Sequence, residues 1–252
     1  MKTFKIVVVL VFLCLTFFAS SCGIFEKKQP QKTIFVLFDL SESTNKPAMR
    51  KSYVDSMSVV MEKLTSGDTL AYDNITEASL EKSTLKVVSI PKTATSGDAD
   101  IVAMAKNAQD KEQYKEQRKK LLDDFGLFLN NSAGHYNTAI LSSMQTVDRV
   151  FGSFKKNKKI LVIFSDMIED SKDYNFDDVT LTTEAIDGII AKEKAKGRMP
   201  DLTGTTVYVV GATCSNADKY MNIQNFWMKY FKECGADLSK ENYGTTLALF
   251  NQ

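Results

Sequence analysis

The sequence predicts an α/β fold with a doubly wound, mainly parallel central sheet, helices on both faces and a helical insertion. Short, continuously apolar runs such as TIFVLF (33–38) and KILVIF (159–164) are typical of parallel strands covered on both faces. Longer stretches, 47–64, 138–154 and 221–233, place apolar side chains at helical spacing. Because the two kinds of segment alternate, they indicate βαβ units and therefore a parallel sheet.

The remaining segments complete this pattern. Residues 69–75 and 205–210 are predicted strands, and residues 181–196 are a predicted helix. The run LKVVSI (85–90) stops at Pro91, which favours an antiparallel edge strand. The charged stretch 111–129 is a predicted helix, and we expect about 76–131 to form an edge strand and a helical insertion.

The N-terminus has the order of a secretory signal. Lys2 and Lys5 precede an apolar run, residues 6–18, and small residues lead to Cys22. The run is too short to cross ~30 Å of hydrocarbon, which needs roughly 20 residues. We therefore expect residues 1–21 to be removed.

The segment Ala19-Ser20-Ser21-Cys22 resembles the lipobox of bacterial lipoproteins. This resemblance implies that Cys22 carries acyl chains, each methylene adding ~0.8 kcal/mol of membrane affinity. Polar residues 22–32 would then form a tether, and the domain, residues 33–252, would face the periplasm or the cell surface. A secreted protein cleaved near Ser21, or an uncleaved anchor, is the alternative.

Composition excludes one class of partner. The chain has 32 basic and 31 acidic side chains, and loss of residues 1–21 removes Lys2 and Lys5 and no acid, leaving a net charge of −1. No basic excess is left for binding nucleic acid. The remaining residues suffice for one large α/β domain with a full core.

Two cysteines, Cys214 and Cys234, belong to the predicted domain. An oxidising compartment would permit a disulfide between them. The helix predicted between them would separate them by ~20 Å, whereas a disulfide needs Cα atoms ~6 Å apart. The spacing therefore disfavours a bridge.

Three loops carry the side chains of chemical interest. Asp39-Leu40-Ser41-Glu42-Ser43 follows the first strand, Ser165-Asp166 follows the KILVIF strand, and Gly134-His135-Tyr136-Asn137-Thr138 opens a helix. Parallel α/β sheets bind ligands beyond the carboxyl ends of their strands. An Asp-x-Ser-x-Ser motif alone would be a solvated loop or a helix N-cap, but here it stands with a second strand-end aspartate and a threonine.

Together the loops resemble the metal-ion-dependent adhesion site of von Willebrand factor A domains. The resemblance covers about residues 33–236, except for about 76–131, and implies the metal ligands Asp39, Ser41, Ser43, Thr138 and Asp166. It also implies a divalent cation, Mg²⁺ or else Mn²⁺ or Ca²⁺, and a protein partner whose Asp or Glu carboxylate completes the metal shell. Mg²⁺ prefers oxygen ligands in octahedral geometry.

These residues favour a binding module for adhesion or envelope assembly, and not an enzyme. The alternative is a metal-dependent phosphohydrolase, which commonly needs a second acid two positions after its nucleophilic aspartate; Ser41 stands there. A structural lipoprotein with a vestigial site is a third reading. His135, the only histidine, is expected to shape the partner surface, Glu169 and Asp170 to lie in a solvated loop, and Trp227 to pack in the core.

Overall fold

The domain is built on a six-stranded sheet with the order β3-β2-β1-β4-β5-β6. The computed structural model describes residues 30–44, 46–76, 84–91, 101–131, 137–247 and 250. All neighbouring strands are parallel except β3, which runs antiparallel to β2 at one edge. The strands are β1 (Lys32–Asp39), β2 (Thr69–Ile75), β3 (Lys86–Ser89), β4 (Lys158–Phe164), β5 (Thr205–Val210) and β6 (Tyr243–Gly244).

Five α-helices and one short 3₁₀ helix, Lys240–Asn242, are described. Pro47 begins the first helix, a position where its fixed φ suits the helix and its missing N–H costs no bond. The helices are α1 (Pro47–Glu62), α2 (Ile101–Asn131), α3 (Ile140–Ser153), α4 (Thr183–Ala195) and α5 (Ala217–Glu233).

The side chains of β1 divide the core into two layers. Successive strand residues point to opposite faces, and both faces of β1 are buried. Phe38 and its same-face neighbours pack against α1 and α2, whereas Phe35 and Leu37 pack against α3, α4 and α5. The predicted doubly wound α/β architecture, with helices on both faces, is therefore confirmed.

Helix α2 is longer than the helix predicted at 111–129, and it packs on one face of the sheet. Leu121, Phe125 and Leu129 are buried in the core layer that also contains Phe38. The Tyr114 hydroxyl donates a hydrogen bond to a backbone carbonyl just beyond α1 at 2.7 Å. The segment expected as an insertion thus supplies part of the layer that covers one face of the sheet.

The other predicted elements begin and end within four residues of the observed ones. The antiparallel edge strand β3 is found as expected. Lys32, placed in the tether by the sequence, is the first residue of β1. The short edge strand β6 was not predicted.

Cys214 and Cys234 are both free thiols, in agreement with the spacing that disfavoured a bridge. The proposed signal, Cys22 and most of the tether lie outside the described residues. Within the described ranges, no helix combines the length and the apolar character needed to cross a membrane.

Candidate metal centre

The two strand-end acids lie at one rim of the sheet. Asp39 is the last residue of β1, and Asp166 follows β4 by two positions. The strands are parallel neighbours, with Phe38 opposite Phe164. Strand order reverses between them, since β2 lies beyond β1 on one side and β5 beyond β4 on the other. Such a reversal point is where open α/β sheets bind ligands.

Asp39 is fully buried and is the centre of a hydrogen-bond network. Its Oδ1 accepts from the Ser41 backbone N–H at 2.9 Å and lies 3.4 Å from the Thr138 hydroxyl. Its Oδ2 accepts from the Ser165 hydroxyl at 2.8 Å. Asp39 therefore links all three loops.

The two serines of the first loop connect Asp39 to Asp166. Ser41 Oγ and Ser43 Oγ are 3.0 Å apart, and Ser43 Oγ donates to Asp166 Oδ2 at 2.7 Å. Thr44, which was not among the predicted site residues, donates from its hydroxyl to the Asp39 carbonyl at 2.9 Å. Threonine hydroxyls commonly close turns in this way, so Thr44 fixes the curvature that brings both serines to the rim.

Thr138 is held at the same rim by a short antiparallel bridge. Its backbone N–H donates to the Asp170 carbonyl at 2.8 Å, and the Asp170 N–H donates back at 2.9 Å. The Thr138 side chain is buried, and α3 begins two residues later. The loop after β4 thus positions both Asp166 and Thr138.

The structure therefore brings together all five ligands that the resemblance implies. Asp39, Ser41, Ser43, Thr138 and Asp166 are joined through hydrogen-bond distances of 2.7 to 3.4 Å. His135 lies outside the described residues.

Both acids have raised pKa values. Burial raises the pKa of Asp39, although hydrogen bonds from Ser41, Ser165 and Thr138 oppose the shift. Burial, followed by the charge of Asp39, raises the pKa of Asp166 to about 6. Among the residues that the structure describes, neither acid forms an ion pair. The rim is therefore a buried negative site that no Lys or Arg side chain of the described segments neutralises.

The donor atoms suit a hard cation. An octahedral shell with bonds of about 2.1 Å places adjacent ligands about 3.0 Å apart. Ser41 Oγ and Ser43 Oγ have this separation. No cluster of three or more His, Cys, Asp or Glu side chains arranged for a metal occurs in the described part of the chain. A cation at this rim would therefore depend on hydroxyl ligands beside the two carboxylates, a set that favours Mg²⁺ over softer ions.

Glu169 corrects the expectation of a solvated loop. It is 1% exposed, and its Oε2 accepts from the Leu141 N–H at 3.1 Å, in the first turn of α3. A carboxylate is favourable there because the first N–H groups of a helix have no partner inside the helix. Burial nevertheless raises the Glu169 pKa to about 8, and its Oε1 has no hydrogen-bond partner among the described residues.

A groove of about 280 Å³ lies between residues 176–181 and the start of α5. Buried Phe176 and Ile223 and exposed Val179 contribute apolar surface. Asp177 at its edge also contributes to the raised pKa of Asp166. A charge on Asp177, one of the residues that line the groove, therefore also acts on Asp166.

No protein-family model and no curated protein matches the sequence. Among solved structures, proximal thread matrix protein 1 from the mussel byssus has a TM-score of 0.39 and 12% identity over 77% of this chain and 39% of that chain. Its form with a zinc-occupied MIDAS motif has a TM-score of 0.36 and 11% identity over 82% of this chain and 48% of that chain. A von Willebrand factor type A protein from Catenulispora acidiphila has a TM-score of 0.34 and 15% identity over 83% of this chain and 44% of that chain. This chain covers less than half of each of them, and at these scores its function has to be argued from the rim itself.

Proposed function

We propose that this chain is a lipid-anchored, extracytoplasmic module of the von Willebrand factor A type that uses a divalent cation to hold a protein partner. The observation that carries the proposal is the convergence of two acids and three hydroxyl groups from three loops at the point where strand order reverses. Anchoring through Cys22 is proposed from the order of charged, apolar and small residues before it.

The hydroxyl and carboxylate groups of the rim would contribute to cation binding in different ways. The Ser41, Ser43 and Thr138 hydroxyls are neutral ligands, so they leave most of the ion's charge uncompensated. Asp39 and Asp166 supply the negative charge, directly or through water. A bound Mg²⁺, or Mn²⁺ or Ca²⁺, would offer its remaining positive charge to a carboxylate of the partner.

The position of Ser41 supports binding over catalysis. A phosphohydrolase with a nucleophilic aspartate commonly needs an acid two residues later to protonate the leaving group. Ser41 occupies that position, and its hydroxyl lies 3.0 Å from the Ser43 hydroxyl. A serine hydroxyl does not supply a general acid near neutral pH, so the same atoms are better suited to cation binding.

We expect Mg²⁺ to raise the melting temperature of the full chain, purified in detergent. A ligand at 100 times its Kd stabilises the folded state by about 2.7 kcal/mol, or roughly 5 to 10 °C for a domain of this size. The double variant Ser41→Ala/Ser43→Ala should lose this shift, and Ser153→Ala, at an exposed helical serine, should keep it. Turnover of a generic phosphate ester would instead support the phosphohydrolase. If Mg²⁺ does not raise the melting temperature and the ester is not hydrolysed, the result would support a structural protein.

Partner capture from envelope extracts should depend on the cation. The anchored chain is expected to retain its partner in Mg²⁺, to release it with chelator and to bind it again when Mg²⁺ is restored. Ser41→Ala/Ser43→Ala should capture nothing above background. Retention that chelator does not change would argue against a metal-bridged carboxylate.

We infer that the partner also contacts the groove lined by residues 176–181, and a substitution there tests this contact separately from cation binding. Val179 lines this groove and is 46% exposed, so we expect Val179→Asp to weaken capture by roughly 10-fold. The Mg²⁺-dependent rise in melting temperature should be unchanged, because Val179 is not among the proposed ligands. A matching loss of the Mg²⁺ response would mean that the substitution acts through the rim and not through the partner.

A further inference from the structure

The residue that follows Asp166 has an unusual backbone conformation. Met167 has a φ of 67°, and it is the one non-glycine residue with a positive φ in the described part of the chain. Its side chain is fully buried. A residue that carries a Cβ rarely adopts a positive φ, and this conformation is kept only where the surrounding structure fixes it.

Both backbone polar groups of Met167 are bound. Its N–H donates to Ser165 Oγ at 2.9 Å, and that hydroxyl donates to Asp39 Oδ2 at 2.8 Å. Its carbonyl accepts from the Trp227 indole N–H at 2.9 Å. Hydrogen bonds on both sides of the Met167 backbone therefore connect α5 to the carboxylate at the end of β1.

Trp227 is itself held firmly. It is fully buried, with ring centroids 5.0 Å from Phe226 and 5.6 Å from Tyr230 in edge-to-face geometry. The ring centroid of Phe176, which lies in the same loop as Asp166, is 6.1 Å away. Because this packing fixes the orientation of the indole ring, its N–H stays directed at the Met167 carbonyl, in the loop that carries Asp166.

We propose that Trp227 is a positioning residue for the cation site, because its indole N–H holds the Asp166–Met167 turn in the conformation that presents Asp166 to the rim. This inference rests on the proposed function. It goes further by assigning a role in positioning Asp166 to one side chain that is not itself a ligand. The buried indole, interpreted from sequence as core packing alone, then has two roles.

Trp227 is the only tryptophan of the chain, so its fluorescence can report on the rim directly. The full chain in detergent should show a saturable change in emission on titration with Mg²⁺, with a midpoint equal to the Kd from calorimetry. The change should disappear in Ser41→Ala/Ser43→Ala. Calorimetric binding with unchanged emission would overturn the inference and leave the proposed function intact, whereas no calorimetric binding would overturn both.

Trp227→Phe removes the N–H and keeps an aromatic ring. We expect the calorimetric Kd for Mg²⁺ to rise about 10-fold, as for other groups that orient metal ligands. Phe231→Leu is the matched control, since Phe231 packs 5.9 Å from Trp227 on the same helix and is also fully buried. The control should lower the melting temperature and leave the Kd unchanged. Equal Kd values for Trp227→Phe and the wild type, or equal increases in both variants, would overturn the inference.

Discussion

Replacing Asp166 with asparagine is expected to weaken Mg²⁺ binding strongly and, at the same time, to stabilise the metal-free protein. The Kd should rise at least roughly 10- to 100-fold, because a ligand charge is lost. Burial and the charge of Asp39 raise the Asp166 pKa from 3.8 to about 6, so the ionised carboxylate opposes folding above pH 6. Removing it should add on the order of 1 to 3 kcal/mol to the free energy of unfolding near pH 7.5.

Asparagine keeps the local structure, because its oxygen can still accept from the Ile168 N–H, as Asp166 Oδ1 does at 3.0 Å. Urea unfolding in chelator measures the metal-free stability, and calorimetry with Mg²⁺ measures affinity. Asp55→Asn, at an exposed helical aspartate, should change neither. A variant that loses stability in chelator would indicate that Asp166 serves the fold and not a cation.

Replacing Glu169 with glutamine should remove a large pH dependence of stability. The Glu169 pKa is raised from 4.5 to about 8 by burial. Between those values the unfolded chain releases a proton that the folded protein keeps, so the free energy of unfolding falls as the pH rises. At about 1.4 kcal/mol per pH unit, the wild type should lose on the order of a few kcal/mol relative to Glu169→Gln by pH 8.

The comparison is made by urea unfolding in chelator from pH 4.5 to 8.5. Glutamine retains the oxygen that accepts from the Leu141 N–H, and groups that titrate in both proteins cancel in the difference. Glu116→Gln, at an exposed position on α2, provides the control and should follow the wild type. Parallel profiles for the wild type and Glu169→Gln would show that the buried carboxyl is already ionised at low pH.

The sequence was sufficient to predict where the rim lies. The runs before Asp39 and before Ser165-Asp166 are apolar enough to be parallel strands covered on both faces, and parallel strands end at the same edge of a sheet. The antiparallel edge was also predictable, because Pro91 follows its last residues. Thr138 was placed by resemblance and not by physical argument, since its bridge to Asp170 joins residues far apart in sequence.

Other features depend on tertiary contacts that no local pattern reveals. Glu169 was expected in solvent because it lies among polar residues, and only the packing of α3 over it makes it buried. Two residues, Tyr243–Gly244, are too few to show the alternation or apolar run of a strand. The bond from Trp227 to Met167 had one sequence signal, since a buried indole N–H needs an acceptor, but its partner is 60 residues away.

Strand β1 also separates the residue at which the chain enters the domain from the candidate cation site. The chain enters the domain at Lys32 and reaches the first of the proposed cation ligands at Asp39, so the strand separates these points by roughly 25 Å. They are at opposite poles of the sheet. The proposed anchoring through Cys22 and the proposed docking of a partner therefore do not compete for the same pole of the domain.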